Sequence, residues 1–211
     1  MALPQVQMGP PQVQIAPPQV PMALAPHQVG IFPAYITTQT ETLILREKVM
    51  SLSGDDFEIR HANGQPILKV EGQVMSISGR KKVYDMRGNH LFSIVREHFH
   101  IHTTYAVEDT RGTKIMEVKS SFRLFGSKAT ATFNSIDGSA EVLQMDGGWH
   151  DYNANIVDTT TGNVVARIDR RLSGRDLLFG QQTYALVVSP RVDMALMAAL
   201  CICLDEKNNE K

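Results

Sequence analysis

The run Val192-Asp-Met-Ala-Leu-Met-Ala-Ala-Leu-Cys-Ile-Cys-Leu204 carries no polar residue apart from Asp193. A helix with no polar side has to be surrounded on all sides. At 1.5 Å per residue the run is only about 20 Å long, short of the roughly 30 Å hydrocarbon layer a spanning helix must cross. It therefore reads as a core helix and not as a transmembrane one, with Val192, Leu196, Met197, Leu200, Ile202 and Leu204 as its principal packing residues. Its start is signalled by Ser189 as a cap, Pro190 at the first helical position and Asp193 near the positive end of the dipole. Its end is signalled by the polarity of Asp205-Glu206-Lys207.

The rest of the chain must supply the surroundings. With 211 residues, 43% of them hydrophobic, and a net charge of -1, there is material for one sizeable core. The charge balance argues against a nucleic-acid partner. The cysteines, Cys201 and Cys203, lie two apart on the apolar helix, where side chains diverge. They cannot share a metal or form an ordinary disulfide with each other, which points to a reducing compartment. No basic residue precedes an apolar run at the start, so no signal peptide or mitochondrial leader is expected, and Met1-Ala2 excludes myristoylation. The expected location is the cytoplasm, with peripheral contact to a membrane as the alternative.

Residues 1–35 read as a Pro/Gln-rich tail. Pro4-Gln5-Val6, Pro11-Gln12-Val13 and Pro18-Gln19-Val20 recur every seven residues, with Pro26-His27-Gln28-Val29 as a degraded copy. From Met1 to Thr40 there is no Lys, Arg, Asp or Glu. Such a segment is expected to be disordered or extended and to stay outside the core. Pro18-Gln19-Val20-Pro21 is its one match to a ligand of a proline-recognising protein, without the flanking basic residue such ligands use.

Residues 36–206 read as a single β domain, with 207–211 a polar end. Short apolar runs alternate with Asn63-Gly64, Asp85-Met-Arg-Gly88, Asp109-Thr-Arg-Gly112, Asp137-Gly138 and Asp158-Thr-Thr-Thr-Gly162. An Asx side chain can bond its own turn and Gly supplies positive φ, so each unit predicts a β-hairpin. Period-two alternation places Phe99, Ile101, Tyr105 and Val107 inside and His98, His100 and His102 outside; Lys114, Met116 and Val118 alternate with Ile115, Glu117 and Lys119, as in a half-buried strand. A barrel of eight strands is filled by its own side chains, whereas enclosing a helix about 10–12 Å wide needs more, and eleven or twelve would fit. The expected fold is a mainly β, closed antiparallel barrel around the apolar C-terminal helix.

On these residues the chain resembles the tubby C-terminal-like superfamily, and most closely its LURP-one-related members. Tyr184-Ala-Leu-Val-Val-Ser-Pro-Arg-Val-Asp193 leading into Met194 to Glu206 resembles that family's last strand, junction and central helix. Leu43-Ile-Leu-Arg-Glu-Lys48 and the repeated Asp-x-x-Gly strand entries are similar to it too. The resemblance implies a twelve-stranded barrel with an axial helix. Tubby-type domains bind phosphoinositides through basic residues, so it also implies anionic phospholipid head groups as partners, or else a signalling protein. Scramblases are a more distant branch, and lipid handling is the alternative activity. The acidic calcium segment of that branch is missing, since residues 179–192 are without Asp or Glu. A scaffolding role is the third reading.

For head-group binding the candidates are Arg80, Lys81, Lys82 and Arg87, the densest basic cluster. The group Arg167, Arg170, Arg171 and Arg175 is interleaved with acids and ranks lower. His98, His100 and His102 at i, i+2, i+4 are weak metal candidates, with His150 as a possible fourth donor, and a solvated strand face is the plainer reading. No catalytic elbow, zinc-protease, Cys-x-x-Cys, dinucleotide or phosphate-loop motif is present. No enzyme activity and no cofactor are expected.

Overall fold

The computed structural model describes residues 21–46, 57–72, 80–97, 103–122, 127–146, 153–169 and 183–209. Its strands are β1 (Glu41–Arg46), β2 (Phe57–His61), β3 (Pro66–Gly72), β4 (Lys81–Asp85), β5 (His90–Glu97) and β6 (Thr104–Glu108). They continue with β7 (Lys114–Phe122), β8 (Ser127–Asn134), β9 (Ala140–Asp146), β10 (Asn153–Asp158), β11 (Val164–Asp169) and β12 (Thr183–Val188). One α-helix follows, α1 (Met194–Asn209).

Each strand pairs antiparallel with its neighbours in sequence, and β12 closes on β1 from Glu41↔Val188 to Arg46↔Thr183. The sheet is a twelve-stranded barrel with no open edge. The even-to-odd connections are the five hairpins expected from the Asx and Gly spacing. In one of them Asp85 Oδ1 accepts the N–H of Arg87 and of Asn89, both at 2.8 Å, while Gly88 at φ +85° supplies the turn's left-handed residue. Register shifts next to four of these turns, at Ile59/Arg60, Val83/Tyr84, Val107/Glu108 and Ile156/Val157, bend the strands beside the turns. Most of the odd-to-even connections, including His98, His100 and His102, lie outside the described residues.

The chain leaves β12 at the hairpin end and turns through Ser189–Asp193, so α1 runs back down the barrel axis. Ala195 to Leu204 are all 2% exposed or less. Inward residues of the wall, among them Leu68, Phe92, Val107, Met116, Leu143, Ile156 and Leu186, form one core with them. In β7 alternation holds from Met116 on, with Met116 and Val118 buried, Glu117 half-buried and Lys119 exposed, whereas Lys114 is exposed and Ile115 half-buried. In β6 Tyr105 and Val107 are buried as expected, and so are Thr104 and Ala106.

Two expectations are corrected. The helix begins at Met194, not Val192, and its cap is Asp193: Oδ1 accepts the N–H of Ala195 at 2.9 Å and of Leu196 at 3.1 Å. Ser189 instead donates its hydroxyl to Val164 O, and Arg191, at φ +69°, makes the sharp entry that places Asp193 at the helix start. The helix also continues past Leu204 to Asn209.

The second correction concerns the tail. From Met22 onward the chain is part of the domain, with Ala25 and Val29 in the core. A neutral segment fits the apolar barrel mouth as well as it fits disorder, and Pro has no N–H to leave unpaired there. The domain therefore starts before residue 36. The three full Pro-Gln-Val repeats lie outside the described residues.

Candidate functional site at the strapped mouth of the barrel

Residues 22–40 form a strap across the hairpin end. Ala25 N–H donates to Pro190 O at 3.2 Å, Val29 N–H to Arg191 O at 3.0 Å, and Ile136 N–H to Gly30 O at 2.9 Å. Val29 bridges Val192 in parallel, and Ile36 bridges Asp193 antiparallel on the way back to β1. Phe32 stacks on Phe92 with ring centroids 5.3 Å apart. The hydroxyl of Thr37 donates to Ser189 O, and Arg191 Nη1 donates to Pro26 O.

Asp193 lies under the strap, fully buried. While Oδ1 caps α1, Oδ2 accepts the N–H of Ile31 at 3.0 Å and of Phe32 at 2.7 Å. Burial pushes its carboxyl up to about 6, against the pull of these four backbone donors. The strap approaches so closely that a Cβ on Gly30 would lie 2.2 Å from Asp193 Cβ.

At the same end of the barrel, His27 Nε2 is 2.7 Å from Glu141 Oε1, and Asp158 completes a trio whose ligand atoms all lie within 4.8 Å of one another. Sequence reasoning missed this group because its members come from the strap, β9 and β10. An open groove of about 400 Å³ adjoins it, lined by Lys114, Glu117, Thr132, Phe133, Glu141 and Val142. Lys114 in the groove bonds Glu97 and Glu117, and Lys119 bonds Glu117. The bond to Lys119, with that to Lys114, holds the Glu117 carboxyl below its ordinary range.

The basic candidates do not come together. Arg80, Lys81 and Lys82 lie where β4 begins, at the end opposite the strap, whereas Arg87 lies in the β4–β5 turn at the strapped end. Arg80 is paired with Glu108 at 3.0 Å, and Lys81 is buried. Lys82 is half-buried and Arg87 exposed. Leu24, Met86 and Ile136, the exposed large apolar residues among those described, all belong to the strap or to hairpin turns, as does the exposed Arg111. No helix among the described residues is long and apolar enough to cross a membrane.

Fold and site together define a helix-filled antiparallel barrel whose accessible chemistry lies on its rim and outer surface. The LURP-one-related family model matches residues 41–205, so the chain belongs to the LURP-one-related family. Among curated proteins of Arabidopsis thaliana it is similar to Protein LURP-one-related 15, at 22% identity over 86% of this chain and 87% of that protein. It is also similar to Protein LURP-one-related 4, at 25% identity over 82% of this chain and 81% of that protein. A crystal structure of an Arabidopsis thaliana protein shares the fold, with a TM-score of 0.57, 17% identity, and coverage of 86% of this chain and 99% of that one. The family match starts at β1, so the strap lies before it.

Proposed function

We propose that the protein is a non-enzymatic binding module that docks on anionic phospholipid head groups at a membrane surface. One observation carries this reading: the exposed Leu24, Met86 and Ile136 lie at the strapped end, with Arg87 next to Met86. An apolar tip beside a cation suits the boundary between head groups and acyl chains. Because α1 fills the barrel, a ligand is met from outside. Surface cations contribute on the order of 1 kcal/mol each near an anionic leaflet, so binding by so few is weak and salt-sensitive. Arg80 and Lys82 at the far end are the competing docking point, where Arg80 has to leave Glu108 to take part.

Vesicle flotation tests this with the full chain. Flotation is expected with phosphoinositide-containing vesicles at low salt, to fall at high salt, and to be absent with neutral phosphatidylcholine. Arg87→Glu and Met86→Asp should reduce it, whereas Arg80→Glu with Lys82→Glu should not. The reverse pattern moves the docking point to the other end. Protein that stays in the soluble fraction with both vesicle types at low salt rules out the membrane reading and leaves a protein partner.

A further inference from the structure

His27, Glu141 and Asp158 bring two buried carboxylates, 3% and 0% exposed, together with one imidazole. Glu141 Oε1 accepts from Ser139 Oγ at 3.1 Å as well as facing His27. Asp158 accepts from its own turn, Thr160 N–H at 2.8 Å and Thr161 Oγ1 at 2.5 Å. Among the described residues, no Lys or Arg pairs with either carboxylate. Two buried carboxylates this close are costly unless positive charge sits between them, and the single imidazole, which faces Glu141, offers at most one.

We propose that these three side chains hold a divalent transition-metal ion, with Zn²⁺ the best match to one imidazole and two carboxylates, and that the ion clasps the strap to β9 and β10. Each carboxylate oxygen has two lone pairs, so Asp158 can keep its turn bonds while ligating. Zinc takes His nitrogen and carboxylate oxygen at about 2.0–2.2 Å, which sets tetrahedral ligand atoms about 3.4 Å apart. The 2.7 Å contact between His27 and Glu141 has to open by about 0.7 Å, and the Asp158 oxygen, within 4.8 Å of both, has to settle at the same spacing. The His27 side chain, 32% exposed, is the one placed to yield, while Glu141 and Asp158 are held in the wall. Three protein ligands leave a fourth position for water. The site is separate from the head-group reading and uses none of His98, His100 and His102.

The test is calorimetric titration of Zn²⁺ into the full chain after treatment with a chelator, together with thermal melts. One ion per chain is expected, with Tm rising roughly 5–10 °C at a hundredfold excess over Kd. His27→Ala, at a partly exposed position, should weaken binding at least tenfold and abolish the shift, and Glu141→Gln should do the same. Changing His98, His100 and His102 together to Ala should leave both readouts intact. The proposal is overturned by no saturable binding, or by binding that survives His27→Ala and is lost in the triple variant.

Discussion

Asp193 joins α1 to backbone amides of the strap more than 160 positions earlier, through a carboxylate out of contact with water. Its carboxyl is raised from 3.8 to about 6, so between these values the native state holds a proton that the unfolded chain has released. The stabilising contribution is fully present below about pH 3.8 and is lost as pH rises through 6, a change of about 3 kcal/mol. The turn aspartates act in the opposite sense: hydrogen bonds from Asn89 to Asp85 and from Thr113 to Asp109 lower their values, and that stability is lost on acidification below the ordinary range. Asn at 193 cannot titrate and has one acceptor oxygen where Asp has two. The stability gap between wild type and Asp193→Asn should therefore be widest below about pH 3.8 and narrow by about 3 kcal/mol by pH 7, as read from urea unfolding at each pH. A gap independent of pH would mean that the carboxyl titrates alike in both states. Gly30→Ala is the steric counterpart: its Cβ would overlap Asp193 Cβ, and a loss of about 3 kcal/mol is expected by the same measurement.

At the scale of elements, α1 and the strap depend on each other but were unequally legible. The unbroken apolar run of α1 admits only full burial, and Asx-Gly spacing located all five hairpins, because both signals are local. Asp193 was legible as a carboxylate near a helix start, but its bonds to Ile31 and Phe32 were not. The strap shows neither strand nor helix periodicity, and only Ala25 and Val29 are fully buried apolar anchors in it. His27 meets Glu141 across 114 positions, a separation no spacing rule spans. The basic group Arg80 to Arg87 failed as a unit because β4 carries Arg87 to the other end of the barrel. Leu200→Asp puts an unpaired charge on the axis and should prevent folding, seen as loss of the cooperative melt. A chain starting at Glu41 keeps every strand yet loses the strap's bonds and anchors, so it should be destabilised on the order of 4 kcal/mol in urea. Unchanged stability would mean that the strap rests on the barrel without supporting it.

For the whole molecule, the closed wall decides what reagents reach. Cys201 and Cys203 are buried inside it, so DTNB should leave the native protein unmodified and react with both thiols only in denaturant. Prompt native reaction would mean that the barrel opens on the timescale of the assay. The order of elements along the chain adds a constraint of another kind. All twelve strands precede the helix that fills them, so the ribosome releases the wall before the core. At about 5–20 residues per second, a growing chain carries apolar strand faces with nothing to pack on for on the order of ten seconds. During that interval β1 has no β12 to pair with, and each exposed edge is a template for another nascent chain. Folding has to wait until α1 emerges, which makes the unfinished barrel a natural client for chaperones that shield apolar strands during synthesis.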